Sequence, residues 1–244
     1  MKKNNKVKNI IIIILCSILV LLSIYFLLDY YNIDKYDKFI LNENEVPALK
    51  EEIYEQQISF LKEKYNNDDI VGTISISDTD FNTIVLQGND NEYYLNHLPD
   101  KTYNINGSIF LDYRVDIDNS DKLLIFGHSS PNYTLPIMII ENYNSKEYYD
   151  KHPYICISTE KSIRKYQIFS AYVEVSDWDY MKIKYQSNEE KLAHYQKLKN
   201  KSFYETNIDV NENDNILIVQ TCSNLKEYSK YSKKYMLVIA KEVK

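Results

Sequence analysis

The sequence predicts a mainly β protein with helical additions: a closed β-barrel, N-terminal helices, and one long helix just before the strand that ends in Cys222. Three observations carry this. From Ile70 onward apolar and polar residues alternate, as in VGTISIS and, after the turn-like DTDF, in NTIVLQG. Further short apolar runs follow, separated by short turns: GSIFLDY (107–113), KLLIFGH (122–128), YICIST (154–159), RKYQIFSAYVEV (164–175), NILIVQT (215–221) and YMLVIAKEV (235–243). Many short strands joined this way close most readily into a barrel. Helical spacing then interrupts the strands twice, near LPIMIIENYNSKEYYDKH (135–152) and at NEEKLAHYQKLKNKS (188–202).

Taken in order, residues 1–9 form a basic tail carrying Lys2, Lys3, Lys6 and Lys8. Residues 10–28 are an uninterrupted apolar run, nearly long enough to cross a hydrocarbon core of about 30 Å. Bulky Tyr25, Phe26, Leu27 and Leu28 fill its end where a cleaved signal peptide has small residues. The run therefore reads as a retained transmembrane signal anchor. The lysines before it and Asp29 after it predict a single-pass protein of the cell membrane, with the N-terminus cytoplasmic and the remaining domain extracellular. Residues 29–66 read as a helical stalk, broken near Pro47, with Leu49, Ile53, Ile58 and Leu61 at roughly helical spacing. Residues 67–244 are the barrel domain.

The bulk numbers agree with one tethered domain. The chain has 244 residues, 44% hydrophobic and 26% charged, with only 4 glycines and 5 prolines, which excludes low-complexity and collagen-like classes. Net charge is −6, and the only strongly basic stretch is the tail, so the domain is more acidic still. Such a surface offers no footprint for nucleic acid. No His/Cys/Asp/Glu cluster has metal-ligand spacing and no Gly-rich phosphate loop occurs, so neither a metal nor another cofactor is expected.

The chemistry-bearing residues sit at strand ends. LIVQTC runs out into Ser223 and Asn224, which makes Cys222 either a small core residue or a nucleophile at the lip of a cleft. Cys156, in the alternating YICIST, reads as an inert core thiol. A nucleophilic thiol needs a neighbouring base or cation, because its ordinary pKa is near 8.5. His97, His152 and His194 lie in polar loops or on the polar side of a helix and read as surface or local structural residues. His128 differs, because it ends the apolar strand LLIFGH. Two strand ends thus each deliver half of a Cys–His pair, and in a barrel such ends can be neighbours.

These words, in this order, resemble the sortases, and within them class B. IVGTISISDTDFNTIVLQGNDNEYYLNH (70–97) resembles the opening strands of that class, GSIFLDYR (107–114) the next strand and LLIFGH the histidine strand. SFYETNIDVNENDNILIVQTC (202–222) is similar to the segment joining the class-specific long helix to the cysteine strand, and YMLVIAK to the last strand. The resemblance runs from about residue 36 to the end.

It implies a membrane-anchored cysteine transpeptidase with Cys222 as nucleophile and His128 as proton partner. Its partners would be secreted proteins bearing a C-terminal sorting motif and, as acceptor, an amine of a lipid-linked peptidoglycan precursor. The family also carries an arginine at the start of the last strand, opposite the cysteine. Here the matching position is Tyr235, with Lys234 beside it, and the chain's two arginines, Arg114 and Arg164, both precede Cys222. Tyr235 shares the face of Leu237 and Ile239 and is the first choice of oxyanion donor; Lys234 is the second. If neither serves, the enzyme is impaired. Thr221 is a candidate substrate contact or a plain strand residue, and Ser223 a loop donor or a turn residue. Two other readings use the same fold: a cysteine peptidase or wall hydrolase that releases free acid, and a non-catalytic binding module.

Overall fold

The computed structural model describes residues 14–28, 54–132 and 134–243, and the chain divides into two compact units, Met1–Lys38 and Phe39–Lys244. In the first unit a helix, α1, covers residues 14–28. At about 1.5 Å per residue it rises roughly 22 Å, short of a core of about 30 Å. Among the described residues no helix is long and apolar enough to cross a membrane. This corrects the transmembrane, single-pass placement predicted from the apolar run. The start of that run, the basic tail and most of the expected stalk lie outside the described residues.

In the second unit α2 (Tyr54–Tyr65) precedes eight strands: β1 (Ile70–Ile76), β2 (Asn82–Leu86), β3 (Phe110–Leu111), β4 (Lys122–Phe126), β5 (Tyr154–Ser158), β6 (Ile163–Glu174), β7 (Ile216–Cys222) and β8 (Tyr235–Glu242). They close into a barrel in the order β1-β2-β3-β4-β7-β8-β6-β5. The expected fold is the one found. Two pairings are parallel, β2 with β3 and β4 with β7, and the rest are antiparallel.

Alternation sorts the apolar residues into two cores. One takes side chains from all eight strands, among them Ile74, Val85, Leu111, Ile125, Ile157, Ile168, Val219 and Val238, and fills the barrel interior. The other lies on the outer face of β4, β7 and β8 (Leu124, Ile218, Leu237, Ile239) under Ile58 and Leu61 of α2 and Tyr195 and Leu198 of α4 (Asn188–Asn200). Strands β4 and β7 are therefore covered on both faces, which is why they read as continuous apolar runs.

Segment 135–152 is not one helix. Pro136–Asn144 is a 3-10 helix, and Ser145 caps a separate short helix, α3 (Lys146–Lys151), by accepting from the Tyr148 N–H. Ser187 caps α4 in the same way through Glu190. The buried stripe of α4 is Lys191, His194, Tyr195 and Leu198, so His194 lies on the buried rather than the polar side of the helix and is structural rather than a surface residue. Its Nδ1 lies 2.8 Å from the Tyr185 hydroxyl.

Burial holds the His194 imidazole down at about 4, against an ordinary 6.5, and the nearby Lys122 adds to this. The unfolded chain takes up that proton at a higher pH than the fold does. Stability is therefore lost as pH falls from about 6.5 to about 4, by on the order of 3 kcal/mol for this group. His194→Phe is expected to flatten the fall in urea-unfolding free energy across that window. An unchanged pH slope would show that His194 is not its source.

Candidate active site

The site grows from the pairing of β4 with β7. Lys122 faces Ile216, Leu124 faces Ile218 and Phe126 faces Gln220, so the offset is constant along the strands. The ladder continues past the strand end: the Gly127 N–H donates to the Gln220 carbonyl (3.2 Å), and the Thr221 hydroxyl donates to the Gly127 carbonyl (2.9 Å). His128 and Cys222 are the next residue along each chain. On the other side β8 runs antiparallel, and Tyr235 pairs with Cys222. Period-two alternation puts Cys222 and Tyr235 on the outer face, away from the barrel interior. A Cβ at Gly127 would lie 2.8 Å from Cδ1 of Ile137, the movable end of that side chain.

One wall is the segment between β6 and α4. Trp178 packs edge-on against Tyr235, ring centroids 5.2 Å apart, and the Tyr180 hydroxyl donates to Gln220 Oε1 (2.8 Å). Polar tethers fix this segment. The Glu174 carboxylate accepts from the N–H groups of Val175, Ser176 and Asp177. Lys122 Nζ donates to the carbonyls of Tyr180 (2.6 Å) and Lys182 (2.7 Å), and Arg114 to that of Met181 (3.2 Å). Burial brings the Lys122 amine down to about 7.

The opposite wall follows His128. Asn224 donates from its side chain to Ser129 Oγ (3.2 Å) and from its backbone N–H to the Glu141 carboxylate. Glu141 belongs to the 3-10 helix. The loop after Cys222 is thereby tied to the loop after His128.

Cys222 is exposed at the strand end, yet burial of its sulfur side still dominates its titration. It pushes the thiol above its ordinary range; Lys234 pulls it down and Glu141 pushes it up. Burial, and then the neighbouring Cys222, likewise raise the Tyr235 hydroxyl. Cys156 is raised by burial as well.

The remaining candidates are placed as follows. Thr221 is fully buried, with its hydroxyl engaged by Gly127. Ser223 is buried, donates its N–H to the Lys234 carbonyl (2.9 Å) and accepts at Oγ from the Leu225 N–H (3.2 Å). Lys234 Nζ reaches the Tyr231 carbonyl at 3.4 Å. Neither arginine reaches the strand ends. Arg114 forks onto the buried Asp112 carboxylate, and Arg164 donates to the Ile117 carbonyl. Among the described residues no group of three or more His, Cys, Asp or Glu is placed to hold a metal ion. Sequence reasoning missed Glu141, Trp178, Tyr180 and Gln220; only Trp178, the single tryptophan, stood out in a polar stretch.

No family model matches the chain. It is 30% identical to sortase B of Staphylococcus aureus over 179 residues, covering 73% of this chain and 72% of that one. The chain belongs to the class B sortases. Sortase B of Listeria monocytogenes is 32% identical over 167 residues, 67% of each chain. The structure of the Staphylococcus aureus sortase B–substrate complex superposes with a TM-score of 0.70 at 29% identity, covering 78% of this chain and 86% of that one. As a class B sortase the protein is a cysteine transpeptidase of cell-wall anchoring.

The charges around Cys222 in this sortase act in opposite directions, and alkylation can separate them. Iodoacetamide labelling follows the thiolate, so its rate rises with pH through the thiol's titration. Lys234→Met is expected to move that rise to higher pH, and Glu141→Gln to lower pH. Profiles that superpose on the parent's would remove both residues from the thiol's surroundings.

Proposed function

We propose that Cys222 is the nucleophile of this transpeptidase and His128 its proton partner. The carrying observation is the register of β4 on β7: Phe126 pairs with Gln220 and the Thr221 hydroxyl holds the Gly127 carbonyl, and His128 and Cys222 are the next residues along the two chains. The thiolate attacks a peptide carbonyl in the C-terminal sorting motif of a secreted protein. The His128 imidazolium protonates the departing amine, and a thioester remains on Cys222. His128, now neutral, takes a proton from the incoming amine as the carbon–nitrogen bond forms and the thiolate leaves. The acceptor is an amine of a lipid-linked peptidoglycan precursor, which matches the cell-wall role of the family.

Tyr235 supplies the oxyanion donor in place of the family's arginine. It pairs with Cys222 across the sheet, and Trp178 fixes the plane of its ring. A phenol gives one hydrogen bond and no charge. Lys234 adds the charge, acting on the thiolate. Thr221 holds the two strand ends together, and Ser223 shapes the loop behind them.

The test incubates the full chain with a panel of fluorogenic sorting peptides, with and without an amine, and identifies products by mass spectrometry. Cys222→Ala is expected to abolish both cleavage and amide formation while circular dichroism stays unchanged. Tyr235→Phe is expected to lower kcat/KM by about 10²-fold, the usual loss for one oxyanion donor. A Tyr235→Phe rate within twofold of the parent would take the oxyanion role away from that hydroxyl. Free acid as the product even at saturating amine would favour the peptidase reading.

A further inference from the structure

Trp178, the single tryptophan of the chain, stands 40% exposed on a wall with little structure of its own. Between Glu174 at the end of β6 and Asn188 at the start of α4, the only regular structure is one 3-10 turn, Asp179–Met181. From outside, Lys197 bridges the carboxylates of Asp177 and Asp179, but its side chain is 44% exposed, and ion pairs in water hold little. From beneath, Lys122 is 3% exposed and gives its Nζ to the carbonyls of Tyr180 and Lys182. The charges that face it from the neighbouring elements are engaged elsewhere: Arg114 with Asp112, Asp179 with Lys197, and Lys182 with Glu190. The Tyr180 hydroxyl donates to Gln220, two residues before Cys222, and Trp178 packs on Tyr235, which pairs with Cys222. One buried amine thus stands behind both contacts of the wall with the cysteine strands.

We infer that Lys122 is a positioning residue of the transpeptidase: it holds the wall in the place where the sorting peptide meets it, and so sets the affinity for that peptide. The inference rests on the thioester reading and adds a residue that touches neither sulfur nor peptide. Loss of the amine leaves the Lys182 carbonyl with the Tyr185 hydroxyl, but leaves the Tyr180 carbonyl buried without a donor. A buried acceptor without a partner is costly. The wall relieves that cost by swinging out to water, and Trp178 and Tyr180 go with it. The peptide then meets a wall that is in place for a fraction of the time, and its apparent affinity falls by that fraction. Once bound, the peptide itself holds the wall, so turnover is spared. A merely structural lysine would act the other way. Its loss would reduce the amount of folded enzyme, lowering apparent kcat and leaving KM alone.

The test is Lys122→Met, which keeps the apolar stem and removes the donor. Steady-state kinetics of the full chain on a cleavable sorting peptide at saturating amine separate KM from kcat. Acrylamide quenching of Trp178 reads the wall without turnover. Lys122→Met is expected to raise KM about tenfold, with kcat within about twofold of the parent, and to raise the quenching constant about twofold. Lys122→Gln keeps a donor on a shorter stem and serves if the methionine variant does not fold; it is expected to raise KM about threefold. A folded variant with KM and quenching unchanged overturns the inference, as does a loss of kcat at unchanged KM; the thioester reading then stands. A parent that cleaves no sorting peptide would remove the thioester reading and this role together.

Discussion

The parallel pairing of β4 with β7 is the constraint on which the rest of the structure depends. It brings together chain segments far apart in sequence, and it does so in one register only. A slip by one residue would turn every side chain of a strand to the other face. Both faces are buried here, so such a slip would put Leu217 and Val219 outside and Gln220 inside. Leu123, Leu124, Ile125, Ile216, Leu217, Ile218 and Val219 are all buried. Each fully buried side chain of this size contributes about 1.5–3 kcal/mol. Closure of the intervening loop costs an entropy that grows only logarithmically with its length. Burial therefore wins, and the register that maximises it sets Phe126 opposite Gln220, two residues before His128 and Cys222. Thr221 extends the alignment past the last ladder bond, because its hydroxyl reaches the Gly127 carbonyl from the interior face.

A second layer of organisation is polar. The wall that carries Trp178 has no regular strand or long helix of its own. It is held by cations whose partners are backbone carbonyls, and by a carboxylate whose partners are backbone N–H groups. Lys122 shows the logic. It projects from the outer face of β4 into a place without water, where its amine would be strongly penalised if unpaired. Two carbonyls of the wall satisfy it, so wall and strand are fixed together. Arg114 does the same from a fork onto buried Asp112. The arginines of this chain are thus structural, and a tyrosine stands where the family places a guanidinium.

Much of this was legible in the sequence because periodicity reports burial. LLIFGH and LIVQTC announced two buried strands with polar ends, and the alternation in YMLVIAK put Tyr235 on the face of Leu237 and Ile239, where it lies. What was not legible depended on partners distant in sequence. GSIFLDY reads as a full strand, but β3 is only Phe110 and Leu111; the Ile109 carbonyl and the Asp112 N–H still bond to Leu86 and Leu124, and the Asp112 carboxylate is taken by Arg114. Segment 135–152 has enough apolar residues for one long helix, yet Pro136 and Ser145 divide it into two short ones. His194 sits on a helix rich in charge, and its burial follows from Lys122 and Tyr185, which no local pattern reveals. Glu141 gave no signal at all, because its meaning lies in Asn224, 83 residues away. The apolar run before the domain was read from its length and flanking charges, and among the described residues no helix is long and apolar enough to cross a membrane.

With both arginines engaged elsewhere, the charges nearest Cys222 are those of Lys234 and Glu141. A guanidinium beside the sulfur would favour the thiolate and the oxyanion together, through charge and a planar pair of donors. A phenol favours the oxyanion through one hydrogen bond and does nothing for the thiolate. In this chain burial and Glu141 both raise the Cys222 thiol, and only Lys234 opposes them. The empty site is then weighted toward neutral thiol, more so than a site with a guanidinium would be. Such a site holds little free thiolate when empty, and its reactivity depends on the bound peptide rather than on a standing charge.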